Sequence, residues 1–472
     1  MPGRSPDPVP ERLSAVSPRP ARSGSSCPGG AGEPSQLLRG GLLVDLVPPR
    51  VEQADLRVQD GRIAARGHGL DPVPGEAVID LSGRLVLPGM VNAHTHLYSA
   101  LSRGMPGPVR PPRDFKEILE LVWWRLDRAL DEEQIYLSAL VGALDAVRAG
   151  TTTIVDHHAS PTRIPGSLSR IDEALETVGI RRVLCYEVTD RGGPAERDAG
   201  LAESATFFER AGRPLSRGLV GAHASFTLEE ETLGAIGALA RRTGAGVHIH
   251  VAEDTYDVTH ARHRHGRSIV DRLREAGCLS GRTILAHGVH LEDRDLAIAM
   301  AQRCQLVHNP RSNMNNRVGY APVFAPVGGL EPRWALGTDG IGSDMFAEAQ
   351  FAYFKAQEAN RGASPGAVLD LLASGGRLAS TLFELAIGDL EPGSAGDLAV
   401  LDYDPPTPLS PDNLGGHVIF GMSAADVESV MVAGRWIMRE RRFGGLDVGE
   451  IHARAREAAT RLWKELAPQL VP

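Results

Sequence analysis

The sequence predicts an α/β protein: a TIM-like (β/α)8 barrel with a small composite β-sandwich domain built from N- and C-terminal segments. Three observations lead there. Between residues 85 and 388, short apolar runs rich in β-branched residues alternate eight times with helix-patterned stretches, the pattern of successive βα units on a parallel sheet. The runs carry polar side chains where they end, near His96, His158, Glu187, Phe226, Glu253, Leu291, Pro310 and Gly340, and a barrel collects its functional groups at such carboxyl ends. An open doubly wound sheet would show a glycine-rich phosphate turn after its first strand, and none follows Val91.

Taken in order, residues 1–35 are rich in Pro, Arg, Ser and Gly, lack the apolar stretch of a secretory signal, and read as a disordered tail. Residues 36–84 and 389–445 read as the composite β domain. Its first part holds Gly41-Leu42-Leu43-Val44-Asp45-Leu46 and Ala54-Asp55-Leu56-Arg57-Val58, then the turn Asp60-Gly61 and Arg62-Ile63-Ala64. Its second part repeats the style with Asp397-Leu398-Ala399-Val400-Leu401 and a hairpin that turns at Gly434. Residues 85–388 form the barrel, with amphipathic stretches such as 131–148 and 229–242 between strands, and residues 446–472 a C-terminal helix. The length of 472 residues suits a barrel of roughly 250 residues plus a satellite.

Composition narrows the function classes. Hydrophobic residues make up 42% and charged residues 23%, and no apolar run approaches the roughly 18 residues of a membrane span, so no transmembrane segment is expected. A net charge of -9, with arginines dispersed among acids, gives no reason to expect nucleic acid as a partner. Cys27, Cys185, Cys278 and Cys304 stand apart, without the close pairs of a zinc ribbon or redox motif, which suits a reducing cytoplasm. A homodimer is the default expectation for assembly.

The sharpest local signal is Leu87-Pro88-Gly89-Met90-Val91-Asn92-Ala93-His94-Thr95-His96, an apolar strand ending in His-x-His. Alternate strand residues face one side, so His94 and His96 can aim at one ion, although an isolated pair could equally cap a strand by hydrogen bonding. On the fifth strand, Val247-His248-Ile249-His250-Val251-Ala252-Glu253 adds a third imidazole and a carboxylate entering the loop. His250 is read as a ligand and His248, deeper on the same face, as a residue behind the ligands or in the core; the reverse order stays open. The eighth strand ends in Gly337-Thr338-Asp339-Gly340, where Asp339 could approach a metal between small residues or serve as a plain turn residue. Three His and one Asp suit a single divalent ion, zinc or ferrous iron. His287 on the sixth strand could hydrogen-bond the activated water or the substrate. His223, Tyr98, Trp123 and Trp124 are read as substrate contacts, whereas the roles of His157, His158 and His308 stay open.

These motifs resemble the amidohydrolase superfamily, specifically its mononuclear cytosine-deaminase and chlorohydrolase-like (ATZ/TRZ-like) branch, over residues 38–442. Several segments are similar to SsnA-type aminohydrolases: His96-Leu97-Tyr98-Ser99-Ala100-Leu101 with Arg103-Gly104-Met105, Trp123-Trp124-Arg125-Leu126, Asp156-His157-His158-Ala159-Ser160, Cys185-Tyr186-Glu187-Val188 and His417-Val418-Ile419-Phe420-Gly421. The resemblance implies that His94, His96, His250 and Asp339 take the metal, that Glu253 is the proton-shuttling acid, and that His287 stands beside the reacting water. Binuclear relatives bridge two metals with a carbamylated lysine on a middle strand; Lys116, Lys355 and Lys464 lie off every expected strand, so one ion is expected. Adenosine-type deaminases of the branch place an acid for the ribose in the segment after the first motif, where this chain has Trp123-Trp124, which counts against a nucleoside.

The expected function is hydrolysis of a carbon–nitrogen bond, other than a peptide bond, in a small nitrogen heterocycle by metal-activated water. Asp339 would take the water proton, Glu253 would protonate the ring and then the leaving group, and His287 would stabilise developing charge. A chlorohydrolase or cyclic amidase would use the same site. A barrel that binds without turnover is the reading from another class, and the complete set of ligands and acid argues against it.

Overall fold

The computed structural model describes residues 35–466 except 109, 211, 212, 331 and 361. Apart from Ser35 the expected tail lies outside the described residues, as does the end of the expected C-terminal helix, which runs Val448–Leu466 within them.

Eight barrel strands follow one another: β1 (Met90–Thr95), β2 (Thr151–His158), β3 (Arg181–Tyr186), β4 (Ser216–Gly218 continuing as Val220–Ala224), β5 (Val247–Val251), β6 (Ile284–His287), β7 (Gln305–His308) and β8 (Trp334–Leu336). Sequential neighbours pair in parallel. The two arcs meet twice. Leu219 N donates to Leu184 O, and Val188 bridges Ala222, which joins β3 to both pieces of β4. Thr338 N and Asp339 N donate to His94 O at 2.8 and 3.0 Å, and His96 N donates to Asp339 O at 3.2 Å, which joins β8 to β1. A sheet closed this way has no free edge. Its strands are buried on both faces, which is why they read as continuous apolar runs and not as alternating ones. The run read as far as Leu291 ends as a strand at His287, because His287 (φ 73) and Gly288 (φ 58) turn the chain out of extended geometry.

Helices cover the outside. The helix Glu132–Arg148 begins where the Asp131 side chain accepts from Gln134 N while the Gln134 side chain accepts from Asp131 N, so two amides that a helix start leaves unpaired are satisfied.

The terminal segments meet in a single eight-stranded sheet made of Gln36–Asp45, Arg50–Gln59, Arg62–Gly67, Ala77–Asp80, Leu85–Pro88, Leu398–Leu401, Val427–Val432 and Arg435–Met438. The turn Asp60-Gly61 takes positive φ at both residues (51 and 76), as a two-residue hairpin of this kind requires. Leu85–Pro88, grouped by sequence with the barrel, is hydrogen-bonded to Gln36–Asp45 and Leu398–Leu401, so the chain enters the barrel only at Gly89.

One buried ion pair ties the two parts together. Arg181 at the start of β3 donates from Nε and one terminal nitrogen to the two oxygens of Asp397 at 2.7 and 3.0 Å, and Ala433 N donates to the same carboxylate at 2.7 Å. The two side chains are 2% and 1% exposed. Asp397→Ala would strand a buried guanidinium, at an expected cost of about 3–5 kcal/mol. Denaturant unfolding of the variant beside wild type checks this, and a change below about 1 kcal/mol would show the pair to be dispensable.

Candidate metal centre and active site

The period of two along β1 puts Asn92, His94 and His96 on one side. Asn92 Nδ2 donates to Thr338 Oγ1 (2.7 Å) and Ser343 Oγ (3.0 Å), which fixes the deep end against the β8 loop. Above it, His96 Nε2 lies 2.9 Å from Asp339 Oδ1 and 3.1 Å from His250 Nε2, and His94 Nε2 lies 3.5 Å from Asp339 Oδ1. Ligand atoms of His94, His250, His287 and Asp339 all fall within 4.8 Å of one another. The four residues expected to hold a metal are therefore brought to one point, with His287 beside them.

The chemistry of this donor set fits a divalent cation. His96 Nδ1 donates to His157 O (2.6 Å) and His250 Nδ1 to His223 O (2.7 Å), so the lone pairs of both rings sit on the Nε2 atoms that face each other. Two lone pairs at that separation repel unless positive charge lies between them. His94 Nε2 and His287 Nε2 are buried without a hydrogen-bond partner, the mark of donors that face an ion or its water. Burial would raise the Asp339 carboxyl, but the imidazoles of His94 and His96 beside it outweigh burial and hold the group well below the usual carboxylate range.

Glu253, just past β5, behaves oppositely. Burial and the nearby Asp339 charge push its carboxyl well above the usual range, which favours its protonated form. Asn316 Nδ2 donates to its Oε1 at 3.1 Å, and its Oε2 lies 3.6 Å from His287 Nε2. Glu253 borders a cavity whose walls include His96, His250 and Asp339 together with Tyr98, Trp123, Trp124 and His223, the four residues read as substrate contacts. His287 is fully buried behind Glu253 and Asp339 and is not on the cavity wall.

The residues left open also find places. His248 Nε2 lies 2.8 Å from His94 Nδ1, behind the ligand, while His250 faces the cavity. His157 Nε2 reaches Ala222 O and His248 O at 3.1 Å each, with its Nδ1 3.3 Å from Glu187 Oε2. His158 bonds Ser160 Oγ, and His308 packs against the rings of Tyr320 and Trp334.

Sequence reasoning missed two groups. The short helix Pro310–Asn315 and its cap supply Ser312, which donates to Asp339 Oδ2, Asn313, whose Oδ1 accepts from His287 Nδ1 at 2.9 Å, and Asn316 on Glu253. The available signal was Pro310 at a helix start, followed by polar residues spaced to share a turn. The second group is Asp127, Glu187 and Arg191: Arg191 donates to Asp127 Oδ2 and Glu187 Oε1 at 3.1 Å each and lies 4.7 Å over the Trp124 ring. Asp127 and Glu187 both border the cavity. The expectation that the segment after the first motif offers tryptophans in place of an acid is thereby corrected. Asp127 stands one helical turn beyond Trp123, where a helix returns to the same face.

The family model described as "Amidohydrolase family" matches residues 85–437, which include every one of these groups. The chain belongs to the amidohydrolase family. This amidohydrolase is 28% identical over 419 residues to the 5'-deoxyadenosine deaminase of Methanothermobacter thermautotrophicus, covering 87% of the chain and 95% of that protein. It is 31% identical over 439 residues to the 5-methylthioadenosine/S-adenosylhomocysteine deaminase of Pelotomaculum thermopropionicum, covering 87% and 96%. Among solved structures, its fold is similar to an adenosine deaminase from Xanthomonas campestris with bound zinc (TM-score 0.80, 22% identity, 90% of this chain and 98% of that one). It is likewise similar to the atrazine chlorohydrolase of Arthrobacter aurescens TC1 complexed with zinc (TM-score 0.79, 22% identity, 90% and 100%).

Among the described residues the donors fit one site better than two. A second group within reach of a metal, His96, His157, Glu187 and His250, shares His96 and His250 with the first, and each of those rings has a single free lone pair. The lysines lie on helices Phe115–Ile118, Met345–Glu358 and Val448–Leu466, away from every barrel strand. Elemental analysis of the active protein should find one divalent ion per chain, and two would contradict this geometry.

Proposed function

We propose that this hydrolase of non-peptide carbon–nitrogen bonds is an aminohydrolase that removes an amino group from a small nitrogen heterocycle. The observation that carries the reading is the meeting of three imidazoles and Asp339 with Glu253, a carboxyl that burial pushes upward, on the wall of an aromatic cavity. His94, His96, His250 and Asp339 would hold the ion, for which we take zinc, with ferrous iron as the other metal suited to this donor set. A divalent ion held there would lower the pKa of bound water to about 7 and so make hydroxide available at neutral pH. Asp339 Oδ2, already accepting from Ser312, takes the proton of the attacking water. Glu253 gives its proton to the ring nitrogen next to the attacked carbon, takes the remaining proton from the hydroxyl added to that carbon, and passes it to the departing ammonia. His287, oriented by Asn313, faces the charge that builds between them.

The walls suit a flat ring: Trp123, Trp124, Phe115 and Phe226 supply apolar faces with polar groups between them. Purine nucleosides join the substrate panel because Asp127 Oδ1 is a buried acceptor without a partner on that wall and because the curated relatives are named as nucleoside deaminases. Three buried free thiols, Cys185, Cys278 and Cys304, suit a reducing cytoplasm. No helix among the described residues is long and apolar enough to cross a membrane.

The test is ammonia release by the metal-loaded protein over aminopurines, pterins, aminopyrimidines, purine nucleosides and chlorinated triazines, with loss of turnover on chelation. Failure on every amidine-like and halide-bearing ring overturns the reading, and chloride release without ammonia replaces it with a chlorohydrolase.

Two variants separate ligand from acid. Glu253→Gln preserves size and hydrogen bonding but cannot carry a proton, so turnover should fall about 10²–10⁴-fold while metal content stays at the wild-type level. His250→Ala removes an imidazole ligand and should lose both metal and turnover, partly rescued by excess metal. Mass spectrometry and turnover measured in parallel check this. A fully active Glu253→Gln, or loss of metal from that variant and not from His250→Ala, would reverse the assignment.

A further inference from the structure

We propose that Cys185 and His248 are positioning residues for the metal centre, which dictate through a directed chain of hydrogen bonds which nitrogen of His94 carries the proton. The inference rests on the reading of His94 as a ligand. His96 and His250 need no such device, because each turns its Nδ1 to a backbone carbonyl that can only accept. His94 differs: its Nδ1 faces another imidazole, His248 Nε2, at 2.8 Å, and either ring could donate.

The direction is set at the far end of the chain. Cys185 Sγ lies 3.4 Å from Asp156 O, an acceptor only, so the thiol points its hydrogen there. The sulfur is left to accept, and what faces it at 3.6 Å is His248 Nδ1, which therefore carries the N–H. A neutral imidazole with its proton on Nδ1 has its lone pair on Nε2, and that lone pair takes the N–H of His94 Nδ1. His94 Nε2, the atom buried without a hydrogen-bond partner, is thereby left as a lone pair facing Asp339 and the other ligands. The opposite direction would put a proton on His94 Nε2, removing a ligand, and would give up the bond to Asp156. His94, Asp156, Cys185 and His248 are all 0% exposed, so no surface water competes for these groups. Burial keeps the Cys185 thiol protonated, as the chain requires, and His157 Nε2 donates to His248 O at 3.1 Å to hold that backbone in place.

The experiment measures zinc and cobalt affinity by chelator competition for the full-length protein and four variants, with the visible absorption of the cobalt form as a second readout. Cys185→Ser keeps a hydroxyl that both donates and accepts, and His248→Gln keeps an oxygen that accepts from His94; both should bind metal with nearly wild-type affinity and spectrum. Cys185→Val fills a similar volume without hydrogen bonding, and His248→Leu removes the acceptor; each should weaken metal binding by about 10–100-fold, the usual effect of losing a partner behind a ligand, and shift the cobalt spectrum. A residue that matters only for packing would show the reverse order at position 185, with Val tolerated and Ser not. That order, or equal effects of Ser and Val, overturns the proposal. If His248→Leu does not fold, the Cys185 pair decides alone. Failure of the wild-type protein to bind either metal would overturn the metal-centre reading itself, a result distinct from intact wild-type binding that the variants leave unchanged.

Discussion

Three hydrogen bonds that close β8 on β1 set the position of everything chemical in this protein. The amides of Thr338 and Asp339 share the carbonyl of His94, and the amide of His96 takes the carbonyl of Asp339. For the second of these bonds Asp339 leaves strand geometry and enters the left-handed region (φ 53), a conformation that costs a residue with a side chain on the order of 1–3 kcal/mol. The kink turns its carboxylate inward among the imidazoles. Gly337 makes the approach possible, since a Cβ there would lie 2.8 Å from both His94 O and His94 Cβ and 2.5 Å from Asn309 Oδ1. Ala252 (φ 49) and His287 (φ 73) bend β5 and β6 in the same way beside Glu253 and the metal-facing groups. Strain at three strand ends is the physical counterpart of a barrel mouth that aims side chains across its axis.

The strain is held by a well-bonded polar scaffold. Within one short helix and its cap, Ser312, Asn313 and Asn316 each bond a different side chain of the candidate site. That helix is anchored in turn by Arg311, which donates to Glu348 and to Gly342 O. Glu348 is fully buried and its carboxyl is pushed up to about 7, mainly by burial and against the pull of Arg311, so the anchor itself sits in a low-dielectric place where directional bonds are strong. A site organised this way presents its groups without rearrangement at the moment of reaction, which is where electrostatic catalysis gains most.

Legibility from sequence followed the periodicity of each element. The His94 and His96 pair, His250 with Glu253, and Asp339 could be read because strands have period two and their ends were marked by a change from apolar to polar residues. His287 was legible for the same reason, although its strand stops four residues earlier than the apolar run, where a positive φ at a histidine leaves no mark in the sequence. The helix Pro310–Asn315 was not legible as part of the site, because polar residues after a proline look like any loop until their partners are known. Glu187 was seen as a strand end and left without a role, since only the fold brings Arg191 and Asp127 to it.

Asp127 shows why the far wall of the cavity needed coordinates. The segment Phe115–Ala129 is not one regular helix: a wider π turn spans Leu119–Trp123, and Trp124–Ala129 resumes α geometry. In a regular helix adjacent residues diverge by about 100°, yet Trp123 and Trp124, both read from the sequence as substrate contacts, line one cavity. Trp123 lies against the backbone at Gly340, where a Cβ would meet its ring at 3.0 Å, and Trp124 lies beside His223 with ring centroids 6.0 Å apart. Asp127 then follows a turn later, on the same side as both rings. Its carboxyl is raised to about 6 by burial, against the pull of Arg191, and its Oδ1 is an acceptor without a partner on this wall. On the reading proposed above, a substrate would hydrogen-bond to Asp127 while its ring lies along the tryptophans, and a group that brings only positive charge would meet Arg191 already in place.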